Sequence, residues 1–135
     1  MIAITHGRDP RVRAVLGGLE FPDQDALDLT VVDLDAEGQP QAVLAGFRWG
    51  EVPVMEHLAC RPGRFSALRV RQLVRAFGVE AWRRGWGRVS VTALDPQRRQ
   101  GPMLRRLCQR LGGIPYATAP NLEWVAFTLR PKESH

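Results

Sequence analysis

One long amphipathic segment, residues 66–84, limits what this chain can fold into more than any other feature of the sequence. Its apolar residues recur at spacings of three and four, which places them on one face of a helix, while arginine and glutamine fill the opposite face. The apolar positions are Val70, Leu73, Val74, Phe77, Ala81 and Trp82. Gly78 interrupts the pattern and Gly85 follows it, so we expect a helix that ends near residue 84.

The segments on either side of this helix favour strands. Three runs rich in β-branched or alternating apolar residues precede it, at residues 29–35, 41–49 and 52–60. The glycine and proline of AEGQP suit a hairpin between the first two runs. A further run, residues 88–94, follows the helix. This order predicts an antiparallel meander whose third strand is joined by a helical crossover to a parallel neighbour.

Shorter elements complete the prediction. They are a strand at Ile2–Thr5, a helix at residues 10–16 begun by Asp9 and Pro10, a helix from Pro102 to Leu111, and strands at residues 114–117 and 122–130. A length of 135 residues is typical of one domain. We therefore expect a single domain over residues 1–135 with an α+β fold: a mixed, mostly antiparallel sheet of six to seven strands, a long central helix and a shorter C-terminal helix.

Composition excludes several classes of protein. No apolar run approaches the roughly 20 residues that cross a bilayer, and the first residues lack the pattern of a signal peptide. Cys60 and Cys108 are too few for a disulfide framework, and neither they nor the three histidines have metal-ligand spacing. We expect a cytoplasmic protein with reduced thiols, no metal site and no membrane partner.

Positive charge is concentrated in the second part of the chain. Residues 1–58 contain four arginines and ten acidic residues, whereas residues 59–135 contain fourteen arginines, one lysine and four acidic residues. Such asymmetry favours an anionic ligand, although arginine-rich helix faces in contact with solvent would give the same count.

The order of elements, together with the loop before the long helix, resembles the GCN5-related N-acetyltransferase fold over essentially the whole chain. The family signature is Arg or Gln, two residues, Gly, one residue, and Gly or Ala. Here Arg64 takes the first position, Ala67 stands at the first glycine and Arg69 at the last position. Acetyl-coenzyme A is the cofactor that this resemblance implies.

The loop also has the properties of an anion site in its own right. Backbone N–H groups at the start of a helix lack intrahelical partners, and the helix dipole adds positive charge there. The resemblance implies that the pantetheine arm follows the backbone edge of the fourth strand and that the pyrophosphate lies at the helix start. The residues expected to bind the cofactor are Leu58, Ala59, Cys60, Arg61, Gly63, Arg64, Phe65, Ser66, Ala67, Leu68 and Arg69.

Three residues are candidates for catalysis. Glu56 is the first choice as the base that takes a proton from the amine, and His57 is the alternative. Since neighbours in a regular strand face opposite ways, we expect only one of them to point into the cleft. The resemblance places Cys108 where the family often has a tyrosine that protonates the leaving thiolate.

The sequence therefore predicts transfer of an acetyl group from acetyl-coenzyme A to a primary amine of a small molecule or protein, by direct attack in a ternary complex. A binding or assembly module that has lost catalysis is an alternative, motivated by Ala67, Arg69 and Cys108. The basic half and its tryptophans suggest nucleic acid less strongly, because no reading motif is present. The last strand could also pair with a second subunit in a homodimer.

Overall fold

The computed structural model describes residues 1–16, 27–50, 52–64, 66–86, 89–94, 106, 109–110, 112–119 and 122–128. Seven strands in this part of the chain form one sheet in the order β1-β2-β3-β4-β5-β7-β6. Their bounds are β1 Ile2–Thr5, β2 Leu29–Leu34, β3 Pro40–Trp49, β4 Val52–Cys60, β5 Val89–Leu94, β6 Ile114–Ala119 and β7 Leu122–Thr128. Only β4 and β5 pair in parallel; the other neighbours are antiparallel.

Two helices cover opposite faces of the sheet. Helix α1 (Pro10–Leu16) packs with one set of alternate strand residues, including Val32 and Val43. Helix α2 (Ala67–Arg83) packs with the other set, including Val31 and Leu44. Because successive strand residues point to opposite faces, the sheet has an apolar core on each side.

The start of α1 is fixed by a carboxylate. Oδ1 of Asp9 accepts a hydrogen bond from the backbone N–H of Arg11 at 2.9 Å, and Oδ2 accepts one from the Arg11 guanidinium at 2.8 Å. The hydroxyl of Thr5 donates to the same carboxylate. The Arg11 hydrogen bond is the largest influence on this carboxyl and holds the pKa of Asp9 well below its usual range, against an opposing effect of burial.

Replacing Asp9 by asparagine is expected to weaken the fold at neutral pH and to flatten its acid dependence. The folded pKa lies below the unfolded value of about 3.9, so the ion pair contributes fully above about pH 4 and is lost as the pH falls through the folded pKa. Solvent at Arg11 limits the loss to about 1 kcal/mol or less. Urea denaturation at several pH values measures it. Glu37→Gln, an equal charge change in the exposed β2–β3 turn, is the control; an Asp9→Asn profile parallel to that of the wild type would contradict this prediction.

The C-terminal end of α2 is held against β2 by a second carboxylate. Buried Glu80 accepts hydrogen bonds from Arg83 and Arg84, at 2.6 Å and 3.0 Å. Arg84 also donates to the carbonyl of Asp28, 3.0 Å away, next to the first residue of β2. These hydrogen bonds anchor the C-terminal end of α2 beside the start of β2.

The predicted meander, central helix and parallel crossover are confirmed. Gly78 does not interrupt α2, because it is buried within the continuous helix. Trp82, predicted on the apolar face, is 39% exposed and is not part of the buried core. The predicted helix from Pro102 to Leu111 lies mostly outside the described residues.

The expectation that the last strand is available to a second subunit is also wrong. Strand β7 is paired with β5 on one side and with β6 on the other, so it has no open edge. In the described sheet the outermost strands are β1 and β6. None of the described helices has the length and apolar character needed to cross a membrane.

Candidate functional site

Strands β4 and β5 touch only briefly and then separate. Their parallel register joins Val54 to Val91 and Met55 to Thr92, and no pairing follows along the described part of β5. Residues 57–60 of β4 stay paired with β3 on the other side. Among the described strands, none pairs with Leu58–Cys60 on the side away from β3, and an extended ligand can hydrogen-bond along that edge.

A β-bulge lies at the point where the strands separate. Ala45 pairs with His57 and Gly46 pairs with Met55, so Glu56 has no partner of its own on β3. A bulge of this kind sets two residues of one strand opposite one residue of the other and bends the strand. The bend accounts for the departure of β4 from β5.

The bulge also changes which way the candidate bases point. Met55 and Leu58 both pack on the α2 side of the sheet, although they are three positions apart and strict alternation would place them on opposite faces. The two residues between them, Glu56 and His57, consequently share the opposite face. The regular alternation on which the expectation of a single cleft-facing residue was based therefore does not hold between Glu56 and His57.

The two side chains differ in their surroundings. Glu56 is exposed and His57 is half-buried. Burial lowers the pKa of His57, while the neighbouring Glu56 carboxylate acts in the opposite direction. The pair thus presents an ionisable carboxylate beside an imidazole that burial favours in its neutral form.

A cavity of about 220 Å³ opens at the N-terminus of α2, near the end of β4. Its lining residues are Asp33, Gly63, Arg64, Ser66, Leu68, Arg69 and Gln72. Gly63 has a φ of 74°, a conformation that favours glycine, and it turns the chain from β4 into the helix. The cavity is therefore built by a tight turn, the first two turns of α2 and one residue of β2.

The backbone donors at this helix start are partly used. Ser66 is the N-cap, and its Oγ accepts a hydrogen bond from the N–H of Arg69 at 3.1 Å. The Arg64 N–H donates to the carbonyl of Arg61 at 2.9 Å. Among the described residues no acceptor lies on the N–H groups of Ala67 and Leu68, and these point out of the helix start where an anion would bind.

Arg69 turns back over the helix start. Its Nε donates to Oδ2 of Asp33 at 2.7 Å, and its Nη1 donates to the carbonyl of Arg64 at 2.5 Å. The half-buried thiol of Cys60 lies close by: burial raises the pKa of Cys60, the Arg69 charge lowers it and the Asp33 charge raises it further. Arg69 therefore lines the cavity as a held side chain and does not extend into solvent.

The structure gathers most of the predicted cofactor residues in one region. Leu58, Ala59 and Cys60 lie on the open edge of β4. Gly63, Arg64, Ser66, Leu68 and Arg69 line the cavity. Arg61 instead donates through Nε to the carbonyl of Pro40 at 2.6 Å. Phe65 and Cys108 lie outside the described residues.

Two lining residues were not predicted. Gln72 follows Leu68 by four positions and Arg69 by three, so helical spacing could have identified it. Asp33 is 36 residues from Arg69 in the sequence, and only the pairing of strands brings it to the site. No group of three or more histidine, cysteine or acidic residues in the described chain could hold a metal ion.

Neither the comparison with protein-family models nor the search of curated proteins finds a match. Solved structures do match. The crystal structure of aminoglycoside 6'-acetyltransferase type Ii is 16% identical, with a TM-score of 0.76, over 98% of this chain and 99% of that one. The aminoglycoside 6'-N-acetyltransferase from Enterococcus faecium is 15% identical with a TM-score of 0.76 over 99% of both chains.

A spermidine N-acetyltransferase from Vibrio cholerae, solved as a dodecamer, is 7% identical with a TM-score of 0.72 over 95% of this chain and 92% of that one. At these identities the similarity establishes the fold. It covers nearly the full length of each protein.

Proposed function

We propose that this chain, which has the fold of the GCN5-related N-acetyltransferases, transfers an acyl group from an acyl-coenzyme A to a primary amine. Acetyl-coenzyme A is the expected donor, and the acceptor is an amine-bearing small molecule or protein that attacks directly in a ternary complex. The observation that carries the proposal is that β4 separates from β5 and then leads, after Cys60, into the turn that lines the cavity at the start of α2.

The residues present fit such a donor. The N–H groups of Ala67 and Leu68, the turn at Gly63 and the guanidiniums of Arg64 and Arg69 provide donors and positive charge for a diphosphate. The open edge of β4 from Leu58 to Cys60 provides backbone groups for the amides of a pantetheine arm. A single extended ligand could use both, because the strand edge leads into the turn.

The candidate bases lie at the bulge. A bound acyl thioester supplies an electrophilic carbonyl carbon beside β4. The exposed Glu56 carboxylate, or the half-buried His57 imidazole on the same face, accepts a proton from the attacking amine. As the carbon–nitrogen bond forms and the carbon–sulfur bond breaks, the departing thiolate needs a proton. Cys108 remains our prediction for its donor.

The neighbours suggest the class of acceptor. Those proteins are named for aminoglycosides and for spermidine, which are both polycationic amines. In this chain most acidic residues lie before residue 59, whereas most basic residues follow it. We propose a cationic amine as the acceptor, attracted by that charge.

Calorimetric titration with acetyl-coenzyme A tests the proposal. We expect saturable binding, with an affinity that falls as salt is added, because the proposed contacts are with phosphates. A titration that shows no saturable heat at millimolar acetyl-coenzyme A would rule out the proposed function.

A further inference from the structure

The ion pair between Arg69 and Asp33 gives a role to a residue far from the signature loop. We propose that Asp33 on β2 positions Arg69 so that its guanidinium binds the diphosphate of the acyl donor, as a side-chain replacement for a backbone donor that the loop has lost. The inference rests on the proposed function, since it concerns the same site.

The loss of the backbone donor follows from the helix cap. Ser66 Oγ occupies the N–H of Arg69, so this amide is not available to a ligand. The side chain of the same residue, however, returns across the helix start to the carbonyl of Arg64. The side chain of Arg69 thus brings N–H donors to the loop, although the backbone N–H of Arg69 is already bonded to Ser66.

The guanidinium retains donors for a ligand. An arginine side chain has five N–H donors in a planar fork. One on Nε is given to Asp33 and one on Nη1 to Arg64; within the described part of the chain, the second on Nη1 and both on Nη2 have no acceptor. Since Arg69 lines the cavity, these remaining donors can form the paired hydrogen bonds that arginine makes with phosphate oxygens.

Asp33 is suited to hold the fork in place. It lies in β2, whose backbone pairs with β1 on one side and β3 on the other, and its side chain is only 13% exposed. A long arginine side chain in water samples many rotamers, and a rigid carboxylate that binds Nε removes most of them before the ligand arrives. Asp33 is therefore a positioning residue, since it acts through Arg69.

The charge of Asp33 makes this role testable. A carboxylate that lines an anion site repels the ligand by itself, so its removal alone would tighten binding. If Asp33 positions Arg69, the gain in ligand affinity due to Arg69 must be larger with Asp33 present than without it. If Asp33 instead keeps Arg69 away from the ligand, the gain in ligand affinity due to Arg69 must be larger without Asp33.

The experiment is a double-mutant cycle measured by calorimetric titration. The variants are Arg69→Gln, Asp33→Asn and the double variant, and the probes are coenzyme A and 3'-dephospho-coenzyme A, which retains the diphosphate. Arg71→Gln is the matched control, because Arg71 is exposed on the same helix and does not line the cavity. Thermal unfolding of each variant verifies that it is folded at the temperature of the titration.

We expect Arg69→Gln to weaken both probes by the same factor, on the order of 10- to 100-fold, as for a charge-assisted hydrogen bond. Arg69→Lys, which keeps the charge without the fork, should give a smaller loss, and Arg71→Gln should bind within about twofold of the wild type. In the Asp33→Asn background the loss caused by Arg69→Gln should be at least about threefold smaller.

Several results would overturn the inference. If Arg69→Gln lost affinity for coenzyme A but not for its dephospho form, Arg69 would contact the 3'-phosphate and not the diphosphate. An equal or larger effect of Arg69→Gln in the Asp33→Asn background would remove the positioning role. If the wild-type protein bound neither probe, the proposed function itself would fail; normal wild-type binding with an unaffected Arg69→Gln variant would reject this inference alone.

Discussion

Replacing Glu56 by glutamine is expected to lower kcat for acyl transfer by about 10²- to 10⁴-fold, the usual contribution of a general base. The substitution keeps the size of the side chain and removes its negative charge together with its ability to take a proton. KM for the acyl donor should change little, because the donor is expected to bind along Leu58–Cys60 and the start of α2. Steady-state kinetics with acetyl-coenzyme A and a polyamine such as spermidine measures both constants.

The neighbouring residue provides the comparison. His57 shares the face of Glu56 because of the bulge, so His57→Gln tests the alternative base at nearly the same position. We expect a smaller loss for His57→Gln than for Glu56→Gln. If His57→Gln is the more damaging change, the base is His57, and if neither substitution alters kcat, the base does not lie on β4.

Replacing Gly46 by alanine should destabilise the fold by about 3 kcal/mol or more, at the upper end of the range for overpacking a core. A Cβ atom at this position would overlap the carbonyl oxygen of Val54 and lie 2.6 Å from a ring carbon of Phe77. Phe77 is a fully buried residue of α2, and Val54 belongs to the parallel pairing with β5. Neither neighbour can yield without moving an element, and urea denaturation measures the loss.

Gly38 provides the matched control for this change. It lies in the β2–β3 turn with a φ of 78°, and an added Cβ would meet no atom within 4 Å. Gly38→Ala should therefore lose only the roughly 1–2 kcal/mol of a left-handed backbone position. Equal losses for Gly46→Ala and Gly38→Ala would contradict close packing as the reason for glycine at residue 46.

The two predictions concern the same part of the fold. Gly46 pairs with Met55, the residue immediately before the bulge. A folded Gly46→Ala variant would have to shift Val54, and with it the point where β4 leaves β5. We expect such a variant to lose activity in addition to stability.

Much of the secondary structure could be predicted from local patterns. The spacing of Val70, Leu73, Val74 and Phe77 predicted the face by which α2 is buried. The bounds of β4 follow from its apolar run and agree with the structure. Helical spacing did not predict the exposure of Trp82, which lies outside the buried core.

The site itself was less accessible to such patterns. A bulge at Glu56 leaves no mark in the composition of VPVMEHLAC, because it arises when β4 is paired with β3 and one residue is left over. Without it, regular alternation gave the wrong relation between Glu56 and His57. The steric need for Gly46 has the same origin, since the atoms that exclude a side chain come from β4 and α2.

The sequence by itself determined the order of the strands and helices and the turn that leads into α2. Apolar periodicity, caps and glycine turns act between residues close together in the chain, so they can be recognised without the tertiary structure. What only the tertiary structure decided was which distant groups meet there. Asp33 reaches Arg69 across 36 residues, and Glu56 joins His57 on one face. Those contacts depend on the register and curvature of the sheet, which the packing of all strands sets together.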